Sequence, residues 1–177
     1  MEWNSNGDYP QINTTAYVHS TAVIIGKVTI GKNVFIGPQV VIRADEPQSS
    51  IIIDDDCNVQ DRVIIHALEG SIVEIKGGTS LSHGCIIHGP CKIGKGCFIG
   101  FGSVIFSACL ANGVFVNLLA AVSGVNIPHG RAVPDGAVIN TEQKAKALKV
   151  KTKTMDAFAK RVVTANSGLL KGYKRQK

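Results

Sequence analysis

At 177 residues the chain is long enough to bury the core of one domain of ordinary size. Aromatic residues make up only 6% of it while Ile, Val and Gly abound, which favours a regular β structure with small, repeated interior layers. The net charge of +6 is uneven, with 8 basic and 11 acidic side chains in residues 1–140 against 11 basic and 2 acidic in 141–177; the basic tail lacks interleaved aromatics and reads as a solvated helical face, not as a nucleic-acid-binding arm.

The first ten residues are polar and lack the basic and apolar pattern of a leader, and no apolar run approaches the length of a membrane span. No membrane association is therefore expected, and the expected location is cytoplasmic or an organelle matrix.

A six-residue repeat then takes over. Ile24, Ile30, Ile36 and Ile42 recur at this spacing, with Ala22, Val28, Val34 and Val40 two places before each and Gly31 and Gly37 one place after. The period fits neither the 3.6 of a helix nor the alternation of a hairpin sheet. Short strands parted by turns, three to a coil, make a triangular parallel β-helix whose coils stack about 4.8 Å apart.

The run breaks at Glu46–Ser50 and again at Glu69–Ser71, where the extra residues must leave the coil as loops. It resumes as Ile75, Leu81, Ile87, Ile93, Ile99, Ile105 and Ala111, with Gly94 and Gly100 again following the aliphatic residue. Cys85, Cys91, Cys97 and Cys109 share one six-residue period, with Ser103 at the missing step. That lattice of small inward positions predicts reduced core cysteines and no disulfide framework. No CxxC pair exists to form a cysteine zinc knuckle.

After Val125 the pattern decays into turns. Thr141–Leu148 predicts a short helix capped by Thr141, and a second helix is expected from about Met155, with Phe158, Val162, Leu169 and Tyr173 as its apolar stripe and Asn166 on the same line. The expected organisation is a β-helix over residues 1–140 and a helical segment over 141–177 packed alongside it.

Arg43, His66 and His88 each follow the aliphatic residue of their repeat, namely Ile42, Ile65 and Ile87, at separations of 23 and 22 residues. Each separation is one 18-residue coil plus an insertion, so the three side chains leave the same face one above another. Two stacked imidazoles can share a cation, but a catalytic zinc site usually has three protein ligands and an open position. His83 lies on the preceding side of the triangle and can join only from a neighbouring subunit. His19 and His129 are assigned to structure.

The hexapeptide runs resemble the left-handed β-helix proteins, which are commonly trimers. The histidine pattern, with R-x-D at Arg43 and Asp45 and N-x-Q-D at Asn58, Gln60 and Asp61, resembles the γ-class carbonic anhydrases from about Tyr9 to Tyr173. The resemblance implies a mainly β fold, a left-handed parallel β-helix of hexapeptide repeats with a C-terminal α-helix alongside. It implies a homotrimer that reversibly hydrates carbon dioxide to bicarbonate through a metal-bound hydroxide. His66 and His88 would be ligands from one subunit and His83 from the next, around Zn2+, with Fe2+ or Co2+ equally suited to three imidazoles.

By the same resemblance Arg43 and Asp45 form interface ion pairs and help orient bicarbonate, and Gln60 hydrogen-bonds the hydroxide. Glu46 and Glu69 match carboxylates of the active-site network and the proton shuttle, and Asn166 matches an asparagine near the substrate. The chain departs from the best-known member in lacking the long acidic loop after the shuttle glutamate and in having Thr164 where that member has tyrosine. Two other functions remain open: a hexapeptide-repeat acyltransferase with one histidine as general base, and a catalytically silent scaffold subunit.

Overall fold

A computed structural model describes residues 1–175. Gln176 and Lys177, the end of the expected helical segment, lie outside the described residues. Three parallel sheets of seven strands each form the walls of a left-handed β-helix. Face A runs from Val23–Gly26 to Val138–Ile139, face B from Gln11–Ile12 to Asn126–Ile127, and face C from Tyr17–Val18 to Ala132–Val133.

Each strand turns at least one aliphatic residue toward the axis, and these residues pair in register from coil to coil. On face A the stack is Ile24, Ile42, Ile65, Ile87, Ile105 and Val122, all with no exposed surface. Ile30, Ile53, Ile75 and Ile93 repeat it on face B, as do Ile36, Val59, Leu81 and Ile99 on face C. Burial of such rows is the main favourable term in folding this chain.

Departures from the six-residue step all fall at one corner, between faces A and B. The chain is longer there after Ile42 and Ile65 and one residue shorter after Ile105 and Val122. The shortening corrects two expectations. Ile93 pairs with Leu110, so Leu110 and not Ala111 takes the inward position, and Cys109 is exposed instead of inward. Cys85, Cys91 and Cys97 are buried free thiols, as is Cys57, and Ser103 is fully buried. Burial pushes the Cys57 thiol up to about 12 and Cys97 up to about 11.

Helix α1 spans Glu142–Ala147, with Thr141 accepting from the Lys144 amide at its N-terminus. Helix α2 spans Lys153–Lys174 and starts two residues before Met155, because Thr152 supplies the cap through the Met155 amide. It lies along face C. Tyr173 stacks on Tyr17 with ring centroids 5.0 Å apart, and Phe158 meets Phe98 edge-on at 5.4 Å. Between these aromatic clamps Asn166 and Leu170 are buried. Leu169, expected on the inner stripe, is 48% exposed, since Leu170 stands the full four residues beyond Asn166. Among the described residues no helix is long and apolar enough to cross a membrane.

Candidate metal centre

Face A builds the column. Register pairs Arg43 with His66 and His66 with His88, so three outward side chains stack on successive coils, and Phe106 follows on the next. The two imidazoles cross edge to face with centroids 4.9 Å apart, and His66 Nδ1 stands 3.2 Å from His88 Nε2.

Two loops, one from each break in the repeat, close over this column. They are tied together by Gly70 N donating to Pro47 O and by the Glu69 amide donating to Glu46 Oε2 at 2.6 Å. Gly70 has φ of 65°, a conformation that admits glycine freely. Glu46 Oε1 lies 3.3 Å from His66 Nε2 and Asp45 Oδ1 lies 3.7 Å away, close enough to pair electrostatically but not aligned as hydrogen bonds. Asp45 Oδ2 accepts from both Nε and Nη2 of Arg43, at 3.0 and 2.9 Å. The Glu69 side chain is exposed on its turn.

Burial, and then the Arg43 charge, lower the pKa of His66, while Glu46 and Asp45 act in the opposite sense. The imidazole is thereby held neutral, the form that can bind a metal.

The other residues marked in the sequence sit elsewhere on the triangle. His83 occupies the corner between faces C and A, where it stacks on Phe101 at 5.4 Å and its Nδ1 lies 3.4 Å from Asp61 Oδ2. Gln60 is buried next to Asp61, and its Oε1 has no hydrogen-bond partner. Asn58 lies under helix α2, where its Nδ2 donates to Ser80 Oγ at 3.3 Å. Asn166 shares a cleft of about 10 Å³ with Asn58, scarcely room for one water, and donates to Val162 O in its own helix. One chain thus brings Arg43, Asp45, Glu46, His66, Glu69 and His88 together at one corner. Gln60, Asp61 and His83 gather at another.

Ser82 escaped the sequence reading. It is fully buried, directly precedes His83, and its hydroxyl has no hydrogen-bond partner. The signal was present in the repeat, because Ser82 follows Leu81 as Gln60 follows Val59.

The donor set fits a divalent metal. A tetrahedral site with bonds of ~2.0–2.1 Å has nitrogen–nitrogen edges of ~3.3 Å, and the imidazole nitrogens of His66 and His88 are 3.2 Å apart. A metal-binding histidine commonly turns its second ring nitrogen to a carboxylate, as His66 does toward Glu46. His88 Nδ1 is a buried polar atom without a partner. Among the described residues, no group of three or more His, Cys, Asp and Glu within one chain is placed to hold a metal ion.

Fold and site together define a class, the hexapeptide-repeat β-helices. The family model "Bacterial transferase hexapeptide (six repeats)" matches residues 9–44. The crystal structure of a hexapeptide transferase family protein from Anaplasma phagocytophilum shares the fold, with a TM-score of 0.81 and 24% identity over 97% of this chain and 96% of that one. The carbonic anhydrase of Methanosarcina thermophila is 36% identical over 196 residues, covering 97% of this chain and 78% of that protein. The chain belongs to the γ-class carbonic anhydrase family. The carboxysome assembly protein CcmM of Nostoc sp. is 38% identical over 97% of this chain, which spans 32% of that longer protein.

Proposed function

We propose that the chain is a subunit of a homotrimeric carbonic anhydrase that reversibly hydrates carbon dioxide at metal sites between subunits. The observation that carries this is the division of the site: a convergent imidazole pair with its carboxylates and guanidinium at one corner, and His83 with Gln60 at another. Closing a ring of three brings the first corner of one subunit against the second corner of the next.

His66 and His88 would hold the metal from one side and His83 from the other; Zn2+, Fe2+ and Co2+ all suit this set. When bound, such an ion lowers the pKa of water toward ~7 and so makes a nucleophile available at neutral pH. Gln60 orients the reacting oxygen with an amide dipole and adds no charge. Arg43, 46% exposed and locked by Asp45, offers charge-assisted hydrogen bonds to bicarbonate. Glu46, beside His66, receives the proton, and Glu69 on its exposed turn passes it to buffer.

The identity with CcmM favours a second reading, a non-catalytic assembly subunit. Stopped-flow measurement of carbon dioxide hydration separates the two. Turnover that disappears on chelation and returns with Zn2+ or Fe2+ is expected; a metal-loaded trimer without turnover would remove the enzyme and leave the assembly subunit.

A further inference from the structure

We propose that Ser82 is a positioning residue that sets which end of the Gln60 amide faces the reacting centre. The proposal rests on the carbonic anhydrase reading above and adds a residue to it. Val59 pairs with Leu81 in register, so the residues that follow them, Gln60 and Ser82, occupy one row on adjacent coils, and the Gln60 amide nitrogen of the backbone donates to Leu81 O at 2.9 Å. Glycines bracket this row. A Cβ on Gly37 would press on the backbone and side chain of Asp61, and one on Gly100 would run into the backbone of Asn117. Between these two glycines the row carries two side chains, Gln60 and Ser82, and both are polar.

Gln60 is 6% exposed and Ser82 not at all, and the side-chain oxygens of both, Gln60 Oε1 and Ser82 Oγ, are buried without partners. One is an acceptor and the other carries a donor hydrogen, so a single hydrogen bond from Ser82 to Gln60 satisfies both. The spacing permits it. On the parallel row the amide of Asn58 already reaches the hydroxyl of Ser80, one coil away, at 3.3 Å. The terminal torsion of glutamine is broad, and a hydroxyl rotates freely, so no backbone movement is needed.

An amide has two ends of nearly equal size and opposite polarity. With its oxygen held inward by Ser82, Gln60 presents Nε2 as a fixed donor to the substrate oxygen. Without Ser82 the amide can turn over and offer an acceptor, which repels the lone pairs it should orient. Ser82 acts through Gln60 and need not touch the substrate.

A crystal structure of the assembled protein provides a test independent of turnover. Ser82 Oγ is expected within hydrogen-bond distance of Gln60 Oε1; an amide held by another donor, or facing the other way, would overturn the proposal. In the metal-loaded trimer, Ser82→Ala is expected to lower kcat about tenfold with KM and metal content nearly unchanged, and Ser82→Thr to restore most of it. In a Gln60→Ala background Ser82→Ala should cost nothing further, whereas additive losses would refute the coupling. An inactive wild-type trimer would overturn the carbonic anhydrase reading, while the crystallographic contact would still decide the role of Ser82.

Discussion

Mixing two inactive variants gives a quantitative test of a site divided between subunits. His66→Ala removes one imidazole of the pair whose nitrogens stand 3.2 Å apart, and His83→Ala removes the imidazole at the other corner, beside Asp61. Each homotrimer then lacks one ligand at every interface and should be inactive. In a closed ring of three, each mixed trimer contains one junction at which a His83→Ala subunit, with its pair intact, meets a His66→Ala subunit that still offers His83. Purified mixed trimers should therefore show about a third of wild-type turnover, and a random equimolar population about a quarter. The assay is stopped-flow hydration of carbon dioxide on trimers carrying two different tags, isolated by tandem affinity after denaturation and refolding together. Mixed trimers of verified composition with no activity would refute a site shared in trans, as would substantial activity in His83→Ala alone.

Three further outcomes test other parts of the structure. Glu46→Ala removes the carboxylate facing His66 and the acceptor for the Glu69 amide, so metal affinity should fall about ten- to a hundredfold in chelator competition, since outer partners of metal ligands commonly contribute that much. Native thiol labelling should reach Cys109 and leave Cys57, Cys85, Cys91 and Cys97 unreacted until the chain unfolds. Because burial raises the buried thiols above their ordinary value of 9.0, the native state keeps protons that the unfolded chain releases. Their contribution to stability is full below about pH 9 and is lost as the pH climbs through the raised values, so urea midpoints should fall from about pH 9 upward.

The walls and the stacked column were readable because the inward residue of each strand is aliphatic and recurs at a fixed step, which places Arg43, His66 and His88 by counting. The shortened corner after Ile105 was not readable in the same way. Leu110 and Ala111 are both apolar, and either can complete the step until backbone pairing with Ile93 selects Leu110. Cys109 moved outward for the same reason. Adjacent leucines hid the phase of the second helix, and only packing on face C distinguishes Leu170 from Leu169.

The wall chosen by that helix was also hidden. It is set by Tyr17, Phe35, Phe98 and Phe115, residues far apart in the chain that become one row only when the coils stack. This row places Asn166 beside Asn58 within the subunit, whereas sequence spacing alone gave Asn166 no partner. Ser82 looked like any small residue in a repeat. The repeat places Ser82 one coil from Gln60, but only the folded structure shows that the side-chain oxygens of both are buried without hydrogen-bond partners.

Metal analysis of the trimer after anaerobic purification tests the central claim most directly. About one divalent ion per chain is expected, lost in both His66→Ala and His83→Ala while each variant remains a folded trimer. A correctly folded wild-type trimer that takes up no Zn2+, Fe2+ or Co2+ would contradict the shared metal site and the function built on it.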